Sequence, residues 1–156
     1  VLSTLHTADA PGAVTRLLDM GIEPFLVASA LKGVIAQRLV RCICSYCKEE
    51  YPLDPNSKEG VFLGEMGYPR PEKMVHGRGC HNCNYTGYKG RTAILEILPI
   101  NTPLRQGIMG RRTREELKGI ALNTGLLTLQ EDGIQKAFQG ITTIKEILRV
   151  AYIDEF

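Results

Sequence analysis

The chain has 156 residues, of which 44% are hydrophobic and 23% charged, a composition that excludes a disordered tail or a collagen-like repeat. Its net charge is only +2 and is spread evenly, so we expect no nucleic-acid partner. The longest apolar stretch, residues 24–36, contains Lys32 and is too short for a membrane span. The start at Val1, without a signal-peptide pattern, suggests a piece cut from a longer protein.

The first third of the chain predicts a strand, two helices and a second strand. Residues 1–5 are apolar enough for a short buried strand. Asp9 is placed to cap a helix that continues to Met20, and Pro24 begins another through about residue 31. Residues 33–41 are rich in β-branched side chains and indicate a strand, although their periodicity also allows a continued helix.

Between residues 44 and 90 the composition changes to proline, glycine and polar residues, before a further strand at residues 90–98. Such an insert is expected to bury little apolar surface and to need a covalent or metal cross-link. Residues 101–156 are expected to be helical, because three Thr-x-x-Glu capping boxes follow one another, at Thr113–Glu116, Thr128–Glu131 and Thr143–Glu146.

Four cysteines form two identical pairs, Cys44-x-x-Cys47 and Cys80-x-x-Cys83. A Cys-x-x-Cys turn directs both thiolates to one ion, and two such turns complete a tetrahedral shell of four thiolates, so we predict a structural zinc site through Cys44, Cys47, Cys80 and Cys83. Disulfides, a redox pair and an iron–sulfur cluster are the alternatives. The absence of a secretory context and of a thioredoxin-like or ferredoxin-like spacing makes them less favoured.

Three further residues near these pairs are interpreted as structural. Cys42 is expected to be a small apolar strand residue, with a ligand role as the less favoured alternative. His76 and His81 are near enough to be substitute ligands, but we expect them to be loop residues, because four thiolates already close a zinc shell. Zinc at this position would clamp the base of the insert and let its two flanking strands pair as an antiparallel hairpin. A closed shell has no open position for catalysis.

The sequence contains no phosphate-binding loop of the G-x-x-x-x-G-K-[ST] type, no G-x-G-x-x-G, no G-x-S-x-G and no H-E-x-x-H motif. The residues alone therefore predict an α+β, helix-rich module that is stapled by zinc and has no self-contained active site.

Several segments, in this order along the chain, resemble the type II secretion and type IV pilus assembly ATPases. They are residues 1–10 (VLSTLHTADA), residues 33–41 (GVIAQRLVR), the double Cys-x-x-Cys, residues 87–92 (GYKGRT) and the 132–150 segment with its DG, GITT and EILRV groups. The cysteine insert is similar to that of the secretion and pilus-extension members, and the retraction motors generally lack it. The sequence does not distinguish secretion from extension, because partners choose the cargo.

The resemblance implies a RecA-like P-loop ATPase that forms a homo-hexamer in the cytoplasm, held at the inner membrane through partners. It would act on an inner-membrane platform protein to drive pilin or pseudopilin assembly, with ATP and Mg²⁺ bound only in the full-length parent. This chain would supply the end of the ATPase core (residues 1–43), the zinc-binding insert (44–90), and a returning strand with a helical C-terminal subdomain (91–156).

By the same resemblance, His6 corresponds to a histidine near the nucleotide phosphates. Thr7 could assist it, and Arg91 is either close to nucleotide or a surface cation at a strand end. Arg38 and Arg41 are either cations at a subunit interface or solvated strand residues. The alternative function is a stand-alone zinc-stapled module that docks a partner and has no enzymatic activity.

Overall fold

The computed structural model describes residues 1–151, and the predicted α+β, helix-rich class is confirmed. The helices are α1 (Ala10–Asp19), α2 (Pro24–Ala30), α3 (Lys58–Glu65), α4 (Thr102–Met109), α5 (Arg114–Asn123), α6 (Leu129–Phe138) and α7 (Ile144–Ala151). The strands are β1 (Gly33–Ile43), β2 (Lys48–Pro52), β3 (Lys73–Gly77) and β4 (Tyr88–Pro99). Within this part of the chain, no helix is long and apolar enough to cross a bilayer.

The N-terminal segment differs from the prediction in one element. The Asp9 carboxylate accepts the Gly12 N–H at 2.8 Å and begins α1, as expected. The strand predicted at residues 1–5 is wrong: these residues have no regular structure and are exposed. A strand needs a hydrogen-bonding neighbour, and in the described chain β1 pairs only with β4 and β2 only with β3.

The two strands that flank the insert pair as the predicted hairpin. The amide of Cys44, just after β1, donates to the oxygen of Gly87, just before β4, at 2.9 Å. At the other end, the Ile100 amide donates to the Lys32 oxygen at 3.0 Å, so the strands run antiparallel. The β-branched composition of residues 33–41 therefore forms a strand, and the alternative of a continued helix is wrong.

The described residues form two compact units, residues 1–37 with 95–129, and residues 38–94 with 130–151. In the first unit, α1 packs against α5 and α2 against α4. Small and branched side chains fill these helix contacts, and the most buried are Ala10, Val14, Leu104, Ile108, Leu117 and Ala121. The predicted division into residues 1–43, 44–90 and 91–156 concerns functional parts and stays a prediction.

The second unit has a larger apolar core than the sequence led us to expect. Phe62 and Leu63 of α3 are almost fully buried. They belong to one cluster with residues of α6 and α7, and its members are Leu53, Phe62, Leu63, Met74, Ile134, Ala137, Ile144 and Ile147. The expectation that the insert buries little apolar surface is therefore wrong, because its partners lie about 70 residues further along the chain.

The C-terminal helices begin where the three threonines predict, and residues 152–156 of the predicted helical segment lie outside the described residues. At Thr113, both hydrogen bonds of the capping box form: the Glu116 amide donates to the threonine hydroxyl, and the Thr113 amide donates to the Glu116 carboxylate. Thr143 accepts from the Glu146 amide in the same way. The Glu146 carboxylate, however, binds elsewhere, as described below.

Candidate metal centre

Two turns of the same design present the four cysteines. Cys44 follows β1 and the Cys47 amide donates back to its oxygen at 3.3 Å. Cys80 precedes a 3₁₀ turn at His81–Cys83, and the Cys83 amide donates to the Cys80 oxygen at 3.1 Å. The end of β1 and the start of β4 bring the turns together, because the Cys44 amide is bonded to Gly87.

The four sulfur atoms all lie within 4.8 Å of one another. The Cys44–Cys80 Sγ separation is 3.9 Å, and the Cys47–Cys83 and Cys80–Cys83 separations are both 3.8 Å. A tetrahedron with Zn–S bonds of about 2.3 Å has an edge of about 3.8 Å. The arrangement therefore fits a tetrahedral metal ion, which is the chemistry that the sequence predicts for Cys44, Cys47, Cys80 and Cys83.

Free thiols, rather than disulfides, occupy the site. All five cysteines are unpaired, and the shortest sulfur separations are nearly twice the length of an S–S bond, which is about 2.05 Å. Cys42 lies half-buried on β1 outside the group of four. His76 was predicted to lie in a loop, which is wrong: it lies on β3 opposite Glu49 of β2 and contacts that carboxylate at 3.2 Å. His81 is exposed, and neither histidine belongs to the group.

Backbone N–H groups favour the thiolate form of Cys83. The amides of Cys80 and Gly87 donate to Cys83 Sγ at 3.2 and 3.3 Å. Burial opposes ionisation of Cys83, but these hydrogen bonds and the neighbouring thiols lower its pKa to about 6. Burial raises the pKa of the Cys47 thiol to about 12. A divalent cation would ionise all four groups, since metal binding releases thiol protons.

Two glycines allow the turns to approach each other. A Cβ atom on Gly77, at the end of β3, would lie 2.0 Å from the Gly87 oxygen. The neighbouring Arg78 amide also donates to the Cys47 oxygen at 3.0 Å. Side chains larger than hydrogen would push apart the backbone that carries the two cysteine pairs.

The residues assigned by resemblance to the nucleotide lie outside this centre. His6 is exposed in the segment before α1, and the Thr7 hydroxyl donates to the Asp9 oxygen at 3.2 Å. Arg91 is exposed on β4, and Arg38 is partly exposed on β1. Their roles at a nucleotide stay predictions.

The sequence did not indicate a buried ion-pair network around Glu146. This carboxylate is fully buried in α7 and accepts hydrogen bonds from the Arg41 amide at 3.0 Å and the Arg41 guanidinium at 2.5 Å. Arg149 donates to the same carboxylate at 2.9 and 3.0 Å. Burial opposes ionisation, but these donors lower the pKa of Glu146 to about 2. Arg41 thus binds within its own unit.

Two more buried carboxylates surround the start of α1. The Glu96 side chain of β4 accepts the Ala10 N–H at 2.8 Å, and the Leu129 amide also donates to it. Arg114 of α5 binds both carboxylate oxygens of Asp9, at 2.9 to 3.2 Å. Only a helix-cap preference at Asp9 was visible in the sequence, because the partners are 86 and 105 residues away.

Comparison with known proteins finds a matching family and several similar proteins. The family model described as "Type II/IV secretion system protein" matches residues 1–149. The chain is 46% identical over 95% of its length to a type IV pilus assembly ATPase PilB of Thermus thermophilus. It is 44% identical over 96% to a type II secretion system protein E of Pseudomonas aeruginosa, and 45% identical over 96% to a type II secretion system ATPase E of Vibrio cholerae. The chain spans 16% of the length of the Thermus relative and 29% of the other two.

Proposed function

The chain belongs to the type II/IV secretion system protein family, and we propose that it is the C-terminal part of a hexameric ATPase that powers the assembly of pilins or pseudopilins. The observation that carries this proposal is the family match over residues 1–149, with relatives that are named as pilus assembly or secretion ATPases. The 156-residue sequence contains no phosphate-binding loop, so ATP and Mg²⁺ would be bound by the longer protein.

Zinc is the metal that we propose for the four cysteines. The sulfur–sulfur distances fit its tetrahedral shell, and thiolates suit this ion. Cys44, Cys47, Cys80 and Cys83 would hold it. The bound ion would supply a cross-link between the end of β1 and the start of β4, with no open position for chemistry. The stapled insert would then offer a fixed surface to a partner, which we propose is the inner-membrane platform protein.

In the assembled motor, His6 would lie near the nucleotide phosphates and donate a hydrogen bond to a phosphoryl oxygen, with Thr7 and Arg91 close by. This role comes from the resemblance of the 1–10 segment and of the Gly-Arg-Thr group at residues 90–92. An imidazole or hydroxyl can respond there to the charge that changes during hydrolysis. The motor would be cytoplasmic and held at the inner membrane through its partners.

ATP turnover by two purified proteins tests this function. A full-length protein that carries this chain should hydrolyse ATP. The 156-residue chain alone should not, because its sequence contains no phosphate-binding loop to hold the β- and γ-phosphates. His6→Ala in the full-length protein should lower kcat more than ATP affinity. An inactive full-length protein, or robust turnover that stays with the isolated chain through several columns, would overturn the proposal.

The second candidate is a stand-alone zinc-stapled interaction module. The closed arrangement of four cysteines favours it, because four thiolates leave no open position for catalysis. Cys80→Ser in the full-length protein separates the two functions. A motor part should retain nucleotide binding while its coupling to the platform weakens, whereas a pure docking module has no nucleotide site to retain.

A further inference from the structure

Charged side chains from three elements converge on the first turn of α1. Asp9 and Glu96 are only 6% and 2% exposed, although both carry carboxylates. Asp9 binds Arg114 through both of its oxygens, and the Lys118 amine lies 3.8 Å from Asp9 Oδ2. Glu96 accepts the Ala10 amide of the same turn. This clamp, defined as Asp9, Glu96, Arg114 and Lys118, lies wholly within the first unit.

We propose that the clamp is a positioning device that fixes the His6–Thr7 segment and links it to α5. The inference rests on the proposed function, because it takes His6 as the residue that meets the nucleotide. Asp9 follows Thr7 by two residues, and the Thr7 hydroxyl is bonded to the Asp9 oxygen at 3.2 Å. The Thr7 hydroxyl therefore ties the residue next to His6 to the backbone of Asp9.

A helix cap alone does not require these contacts. Asp9 already caps α1 through the Gly12 amide, and asparagine or serine performs that task as well as aspartate. The bidentate Arg114 contact and the nearby Lys118 amine add a second anchor from α5. Glu96 adds a third from β4, because it holds the Ala10 amide.

The clamp contains two buried carboxylates and two cations. Burial raises the pKa of Glu96, and the hydrogen bond from the Ala10 amide opposes this effect. The nearby Asp9 charge also raises the pKa, and the Lys118 charge lowers it. Two buried carboxylates are matched by two cations only when α1, β4 and α5 come together. Removing Arg114 would leave the buried Asp9 carboxylate without its bidentate partner, which is unfavourable. A group near the reacting atoms must be held in place, because a displacement of about 1 Å lowers the rate of the reaction.

Two substitutions separate positioning from capping. Arg114→Gln removes the bidentate cation, and Asp9→Asn keeps an oxygen for the cap but removes the charge. Arg112→Gln is the matched control, since Arg112 is exposed and pairs with Glu116 of α5. In the 156-residue chain, we expect amide exchange at Ala10, Gly12 and Leu117 to become about ten-fold faster in both clamp variants. The control should leave Ala10 and Gly12 unchanged.

In the full-length protein, both clamp variants should lower kcat about ten-fold, with ATP affinity within about two-fold of the wild type. Arg114→Lys should recover part of the kcat, because it restores charge without the fork geometry. Unchanged exchange at Ala10 and Gly12 would overturn the clamp, even if the full-length wild type proved inactive and the proposed function failed on its own. If kcat and ATP affinity fell by the same factor and the melting temperature fell as well, the clamp would have a merely structural role, and the proposal would also be overturned.

Discussion

Neutralising Glu146 should remove a large share of the stability of the second unit. In Glu146→Gln, the guanidinium groups of Arg41 and Arg149 would lose the carboxylate that they share. Glutamine has nearly the same shape, so the change isolates the charge. The buried side chain is 1% exposed, and its two arginine partners are 43% and 51% exposed.

The size of this stability loss follows from the pKa of the Glu146 carboxyl group. The pKa falls from its ordinary value of 4.5 to about 2 in the folded state, which corresponds to about 3 kcal/mol at about 1.4 kcal/mol per pKa unit. Because the folded pKa is the lower one, this stabilisation is present above pH 4.5 and is lost as the pH falls towards 2. The free energy of unfolding of Glu146→Gln should therefore be lower by about 3 kcal/mol at pH 7 and converge with that of the wild type at low pH.

Urea denaturation at a series of pH values measures both effects. Glu116→Gln is the matched control, since Glu116 also pairs with an arginine but is exposed. Solvent screens an exposed pair, so Glu116→Gln should lower the free energy of unfolding far less than Glu146→Gln does. A loss at pH 7 no larger than that of the control, or the same pH dependence in Glu146→Gln and wild type, would refute the argument.

Three further predictions concern the second unit and the centre. Gly77→Ala should destabilise the cysteine turns by about 2 kcal/mol or more, because the added Cβ would clash with the Gly87 backbone. In the control Gly119→Ala, the added Cβ meets nothing within 4 Å, so this change in α5 should stabilise the protein by about 0.5–1 kcal/mol. Thermal melting of both variants measures the two effects. Phe62→Ala should cost about 3–5 kcal/mol in urea denaturation, and a cost near that of a surface substitution would contradict the packing of the insert. A chelator should speed amide exchange at Gly87, whose N–H donates to Cys83 Sγ, while the buried Leu63 stays protected. Equal loss of protection at both residues would mean that the metal supports the whole unit.

Local features of the sequence predicted the fold best. The cap at Asp9 and the capping box at Thr113 depend on residues within three positions, so the pattern contains all the information. The same holds for each Cys-x-x-Cys turn, and the known chemistry of paired turns predicted their convergence.

Features that depend on distant partners were missed. Glu146 fits a capping box by spacing, yet its carboxylate binds Arg41, 105 residues earlier in the chain. Phe62 lies in a proline- and glycine-rich stretch, and its burial depends on α6 and α7. Residues 1–5 have strand-like composition, but pairing is a property of the sheet and not of the segment.

Metal content tests the central claim, a zinc-stapled secretion-family module, most directly. Elemental analysis of the purified chain should give about one zinc per chain, and Cys42→Ser should match the wild type because Cys42 lies outside the group of four. Cys80→Ser should lose most of the metal. A well-folded wild type without zinc, or equal zinc content in Cys42→Ser and Cys80→Ser, would contradict the account.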